Sequence, residues 1–229
     1  KAVSLDHFLT VATIRDFLAN DEADWDSRRQ HGWTPERRAA LAGQCSSFID
    51  RPEWPERIVD GLRSEDEVVF FNADRAASLL GIDTWDVHWE RLRASPRKSN
   101  RWFLVMKACN EARIAGVIAL ASEHIPAHEI ATGPGSEMGL GPGYEVHGCL
   151  DFILQELGRF PGHGDGLVRA GLKSPVIRNR NMALRALAEW GKDRWPEGME
   201  AALSESIAVE PDDDVRGRME KVAAGGPLD

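Results

Sequence analysis

The sequence predicts an all-α protein. Apolar residues recur at helical spacing almost everywhere, as in Met182, Leu184, Leu187 and Trp190, and almost no segment alternates with a period of two. The strongest candidate for a strand, residues 68–71, continues into small and apolar residues at helical spacing. We therefore interpret this segment as the first turns of a buried helix.

Prolines and glycines divide the chain into helical segments. These breakers are Pro52, Gly81, Pro96, Pro126, Pro161, Pro175, Gly191 and Pro211. The predicted helices cover residues 4–18, 35–49, 54–63, 66–81, 84–94, 100–110, 112–124, 145–159, 163–172, 175–190, 196–207 and 213–224.

Short sequence patterns return along the chain. The tripeptide Trp-Pro-Glu at 54–56 recurs at 195–197, and a leucine follows both copies at the same distance. Residues 61–64 are similar to residues 171–174, and Trp85 begins a third occurrence of the pattern. Because helices this short cannot each bury an apolar stripe alone, we expect helix pairs to stack as repeats.

Large apolar side chains are expected to fill the contacts between such repeats. We predict that Trp54, Trp85 and Trp195 occupy equivalent buried positions at the starts of second helices. Burial is also predicted for Leu184, Leu187 and Leu203.

The segment 175–187, Pro-Val-Ile-Arg-Asn-Arg-Asn-Met-Ala-Leu-Arg-Ala-Leu, resembles the first helix of HEAT-like repeats. The resemblance covers about two thirds of the chain and is strongest over residues 146–222. It implies a right-handed α-solenoid of stacked antiparallel helix pairs. The spacing between these recurring patterns indicates repeat units that are shorter than the roughly 40 to 47 residues of standard HEAT repeats. We predict a single helical-repeat domain over residues 1–229, with a loop at 131–144 separating N-terminal and C-terminal repeat groups.

The loop at 131–144 is rich in glycine and contains two prolines. Its spacing does not fit the dinucleotide fingerprint, and no strand precedes it, so we do not expect nucleotide binding there. Insertions in repeat proteins often shape the binding surface. The loop is therefore either functional or a connector.

Titratable residues cluster in sequence around this loop and could act as general acids and bases. Pro126 separates two of the histidines, and the motif H-E-x-x-H is absent, so we predict no metal site and no cofactor. Capping or solvated roles remain the alternative for each histidine. The candidate catalytic residues are Glu123, His124, His128, His147, Asp151 and His163.

Residues 165–195 form a basic segment. It contains seven Lys and Arg residues and three acids, although the net charge of the chain is −9. Arg178 and Arg185 are seven residues apart and return to nearly one helical face, and guanidinium groups suit carboxylate or phosphate partners. The alternative is that these arginines pair with acids of adjacent repeats. The predicted binding residues are Arg178, Arg180, Asn181 and Arg185.

Composition limits the partners and the compartment. The acidic balance disfavours nucleic acid and anionic membranes, which both attract positive surfaces. The three cysteines are far apart and form no CxxC pair, which fits a reducing compartment. No apolar leader or membrane-length apolar run is present, so we expect a cytoplasmic protein.

These observations favour a scaffold that presents a concave surface to a protein or peptide partner. One alternative is an enzyme whose His, Glu and Asp side chains lie beside the loop at 131–144. A second alternative, suggested by the HEAT-like DNA glycosylases, is a nucleic-acid binder, although the net charge counts against it.

Overall fold

The computed structural model describes residues 4–20 and 32–228 and confirms that these residues form an all-α fold. They contain thirteen α-helices, one 3₁₀ turn and no strand. The one pairing of extended backbone in these ranges joins Glu137 to Val176. Numbered in chain order, the helices α1 to α13 are Leu5–Ala19, Pro35–Ile49, Trp54–Leu62, Glu67–Leu80, Trp85–Ala94, Ser99–Ala108, Ile114–His124, Ala127–Ile130, Glu145–Leu157, Asp165–Leu172, Ile177–Trp190, Met199–Val209 and Asp213–Ala223.

The chain forms two compact units, Lys1–Val87 and His88–Asp229, and the division falls within α5. The loop at 131–144 therefore lies inside the second unit rather than at the division. A single repeat domain over the whole chain stays a prediction.

In the first unit, α1 packs against α2 and α4, and α3 packs against α4. Side-chain caps start three of these helices: Ser4 on α1, Thr34 on α2 and Asp66 on α4 each accept a backbone N–H of the first turn. The Phe8 and Trp54 rings meet edge to face in the core, with centroids 4.9 Å apart.

The predicted strand candidate at 68–71 is helical, as expected, but its burial was predicted wrongly in part. Phe70 is buried, whereas Val68 is 69% exposed and Phe71 39% exposed. The helix α4 contacts α3 and α1 through the face that carries Phe70, Ala73 and Ala77, so Val68 and Phe71 lie away from those contacts.

The second unit is built from two rows of helices. In the first row α6, α9, α11 and α13 pack side by side in that order, and in the second row α8, α10 and α12 do the same. The rows contact each other where α10 packs on α9 and α11 and where α12 packs on α13. Leu184, Leu187 and Leu203 are fully buried between these helices, which confirms their prediction.

The tryptophan prediction is confirmed only in part. Trp54 and Trp85 are buried first residues of α3 and α5. Trp195 is only half-buried and precedes α12, which begins at Met199. A 3₁₀ turn at Lys192–Arg194 displaces it, and its indole N–H donates to Leu187 O at 2.9 Å. Trp195 thus bonds to the last turn of the preceding helix, as Trp54 does through its indole N–H to Phe48 O of α2 at 2.7 Å, but it is less buried and does not begin a helix.

Among the residues that the structure describes, none of the helices has the length and apolar character needed to cross a membrane.

Candidate functional site

The predicted basic residues lie on α11, the third helix of the first row. This helix begins after Ser174, whose hydroxyl accepts the backbone N–H of Val176 at 3.1 Å. One face of α11 carries Ala183, Leu184 and Leu187 into the core. The opposite face therefore points to solvent and presents Arg178 and Arg185.

Arg178 and Arg185 share an unusual arrangement on this face. Their side chains are 54% and 53% exposed, and each is held by an acid at Nε. Arg178 Nε lies 3.3 Å from the Asp151 carboxylate of α9, and Arg185 Nε donates to Glu189 at 2.8 Å. Among the described residues, the two terminal nitrogens of either guanidinium make no hydrogen bond. Each arginine is thus oriented by the protein while its forked end remains free for an anion.

Residues of α9 influence both arginines. The Arg178 guanidinium lies 5.8 Å from the centre of the Phe152 ring, and this ring lies 5.4 Å from that of Phe103 on α6. The hydrogen bond and charge of Glu189, with a smaller contribution from Glu156 of α9, raise the pKa of Arg185. The seam between α9 and α11 therefore combines half-exposed aromatic rings with two cations.

A groove borders this face on its other side, between α11 and α13, with a volume of about 740 Å³. Arg218 Nη1 donates to the Asn181 side chain at 3.0 Å, which places an amide and a guanidinium on opposite walls. Arg218 was missed from the sequence because only packing of α13 on α11 brings it there. The lining residues are Asn181, Met182, Arg185, Ala188, Glu189, Arg218, Lys221, Pro227 and Leu228.

Arg180 does not belong to this surface, which corrects its assignment as a binding residue. Its side chain is fully buried and so is that of Glu210, and Arg180 Nη2 donates to the Glu210 carboxylate at 2.9 Å. The same guanidinium donates to Ser174 O at 2.7 Å and to Gly135 O at 2.8 Å. Arg180 therefore braces the start of α11, the glycine-rich loop and the segment before α13.

The glycine-rich loop is hydrogen-bonded to residues 173–177, which lead into α11. Gly133 N donates to Lys173 O at 2.9 Å, and Ile177 N donates to Glu137 O at 3.2 Å. Gly139 adopts φ +70° and packs so closely on Val176 that a Cβ would lie 2.7 Å from a valine methyl. These hydrogen bonds and the contact with Val176 hold the loop in place beside the basic face.

His147 and Asp151 lie in a buried polar network on α9. Asn179 donates to Asp151 at 2.6 Å, and its oxygen lies 2.8 Å from His147 Nδ1. Because the Asn179 amide nitrogen donates to Asp151 and to His147 O, its oxygen faces His147 and can only accept, so the imidazole proton is assigned to Nδ1. The Ser174 hydroxyl donates to that same oxygen at 2.9 Å. The network accounts for Asn179 and Ser174 as the residues that position His147, and sequence spacing could not show this.

Charge and burial act against each other at Asp151. Burial raises the pKa of the Asp151 carboxyl above its usual range, and Arg178, Asn179 and His147 oppose this shift. Nearby on the same helix, burial raises the pKa of the Cys149 thiol to about 12. Cys149 is therefore a neutral packing residue and not a nucleophile.

The other catalytic candidates do not join this network. His124 lies 3.7 Å from Glu123, His128 lies 3.9 Å from the neighbouring Glu129, and His163 lies 3.4 Å from Glu111. Over residues 4–20 and 32–228, no group of three or more His, Cys, Asp or Glu side chains could hold a metal ion. The sequence cluster of histidines is thus distributed over separate sites.

Comparison with protein-family models, with curated proteins and with solved structures finds no match to this chain. Its function is therefore inferred from its own residues.

Proposed function

We propose that this protein is a helical-repeat binding protein whose first-row surface, along α11, binds an acidic segment of a partner protein. The observation that carries the proposal is the pair of half-exposed guanidinium groups, Arg178 and Arg185, whose terminal nitrogens make no hydrogen bond among the described residues. Oriented arginine forks bind carboxylates with two parallel hydrogen bonds, and prior orientation lowers the entropy cost of binding.

The packing of the second unit supports the repeat part of the proposal. Two rows of helices packed side by side are the arrangement that stacked helix pairs produce, and they correspond to the HEAT-like pattern at 175–187. We assign these helices to a right-handed α-solenoid whose concave side is the first row. In such a stack the first-row surface offers a long face to an extended ligand.

Charge decides the class of partner. Along α11, its seam with α9 and the adjoining groove, there are four cations (Arg178, Arg185, Arg218 and Lys221) and three acids (Asp151, Glu156 and Glu189), although the chain as a whole is acidic. A local positive face on a negative protein attracts a short acidic segment, and its surroundings repel a long polyanion. This favours a peptide over a nucleic acid.

The test measures binding of a fluorescent Glu-rich peptide by anisotropy at low salt. We expect the double variant Arg178→Ala, Arg185→Ala to lose most of the binding while its thermal unfolding midpoint stays near that of the native chain, because exposed ion pairs contribute little to stability. Arg93→Ala, which removes an exposed cation of α5, is the matched control.

Two results would overturn the proposal. If the double variant binds normally but unfolds at a markedly lower temperature, the two arginines brace adjacent helices instead. If the native chain ignores the peptide but binds DNA oligonucleotides with steep salt dependence and a preference for damaged bases, the nucleic-acid alternative replaces it.

A further inference from the structure

We infer that the acidic segment binds in an extended, polyproline II conformation, with two carboxylates three residues apart, one on Arg178 and one on Arg185. This inference rests on the proposed function and specifies its ligand. It follows from the spacing of the two cations and from the aromatic rings beside the first of them.

The spacing comes from the geometry of α11. Seven residues of α-helix advance about 10.5 Å and complete almost two turns, so Arg178 and Arg185 leave the helix on one face, about 10.5 Å apart along its axis. The ion pairs at Nε keep both arginines on this face, with Arg178 toward Asp151 and Arg185 toward Glu189. A ligand must therefore present two carboxylates about 10 Å apart on one side.

Few backbone conformations meet that requirement. In a β-strand, residues three apart lie about 10 Å from each other but point to opposite faces. In polyproline II, three residues complete one turn and advance about 9.3 Å, so side chains at i and i+3 share a face. Glutamate or aspartate side chains can reach across the remaining difference of about 1 Å.

The aromatic neighbours favour the same conformation over a helix. The half-exposed ring of Phe152 adjoins Arg178, the ring of Phe103 packs on Phe152, and rings of this kind receive prolines in known modes of polyproline II recognition. A helical ligand with carboxylates seven residues apart would span the same distance, but the interior of a helix does not accommodate proline, so it offers no proline to these rings.

The experiment compares four fluorescent peptides built on a proline-rich frame. Two glutamates are placed at i and i+3 in the first, at i and i+2 in the second and at i and i+5 in the third, and the fourth has glutamines at i and i+3. We expect the first peptide to bind about tenfold more tightly than the second and third, since one charge-assisted bidentate contact is then made only by the first. The glutamine peptide should bind weakest.

Variants locate the two contacts. Arg178→Ala and Arg185→Ala should each reduce the preference for the i, i+3 spacing to less than about twofold, because each removes one of the two contacts. Arg178→Lys and Arg185→Lys keep the charge but lose the fork, so they should lower affinity for the first peptide while preserving general attraction to acidic peptides. Arg93→Ala should leave the whole series unchanged.

The outcomes separate this inference from the function on which it rests. Equal binding of all three acidic peptides, lost in the double arginine variant, would refute the spacing and keep the proposed function. Tighter binding of a helical peptide with glutamates at i and i+7 would refute the extended conformation. Failure of every acidic peptide to bind would refute both.

Discussion

Replacing Arg180 by methionine tests the brace beneath the basic face. Arg180 and Glu210 are both fully buried, and the substitution leaves the Glu210 carboxylate in the interior without its cation. It also removes the donors of Ser174 O and Gly135 O. The second unit thus loses one ion pair and two hydrogen bonds from a single side chain.

The magnitude follows from these contacts. Breaking one side of a buried ion pair costs about 3 to 5 kcal/mol, because the remaining charge is uncompensated. A carbonyl that loses its partner adds about 1 kcal/mol. With two carbonyls affected, we expect Arg180→Met to lower the free energy of unfolding by about 5 to 7 kcal/mol. Arg185→Met, the same change at a half-exposed position of α11, should cost less than about 1 kcal/mol.

The assay is urea unfolding followed by far-UV circular dichroism. Because the chain has two compact units, amide hydrogen exchange over α11 is needed to assign the loss to the second unit. In the native chain, Asp212 N donates to the Glu210 carboxylate at 3.2 Å. The double variant Arg180→Met, Glu210→Gln removes the buried charge and keeps a side-chain oxygen that can accept this N–H. It should recover about half of the loss.

Either of two results would refute this reasoning. A loss below about 1 kcal/mol for Arg180→Met would mean that the side chain is not a buried brace. A double variant no more stable than Arg180→Met would mean that the uncompensated charge of Glu210 is not the main cost.

Three further perturbations test other parts of the second unit. Leu187→Ala should lower the free energy of unfolding by about 2 to 5 kcal/mol in urea titration, because it opens a cavity in the core. Burial raises the pKa of Asp151 above its unfolded value, so its ionisation opposes folding as pH rises; Asp151→Asn should gain stability relative to the native chain above about pH 4, and a flat difference would contradict this. Gly139→Ala should speed amide exchange at Ile177, whereas Gly141→Ala, also at positive φ but with no atom near its Cβ, should not.

The helices were largely predictable because their ends are set by local chemistry. The predicted segment 35–49 coincides with α2, where Thr34 caps the first turn and a proline opens it. The short helix α8 was not predicted, since Ala127–Ile130 is a single turn between a proline and the glycine-rich loop. Local patterns cannot distinguish such a turn from coil.

The candidate site was predictable only in part. The seven-residue spacing of Arg178 and Arg185 determines their common face, and spacing is visible in the sequence. The burial of Arg180 depends on Glu210, thirty residues away, and no local pattern links the two. The four histidines are near each other in sequence, but they lie on different helices and loops, so their proximity there says nothing about convergence.

The buried and exposed polar residues of α11 depend on each other. Asn179 and Arg180 are fully buried and bind the backbone or side chains of α9, the glycine-rich loop and the segment before α13. These bonds fix the rotation of α11 about its axis, because each of them requires one side of the helix to face inward. The rotation in turn fixes the face on which Arg178 and Arg185 stand. The buried polar core is therefore what holds two separated guanidinium groups in one orientation, and an apolar core of equal volume would leave that rotation less specified.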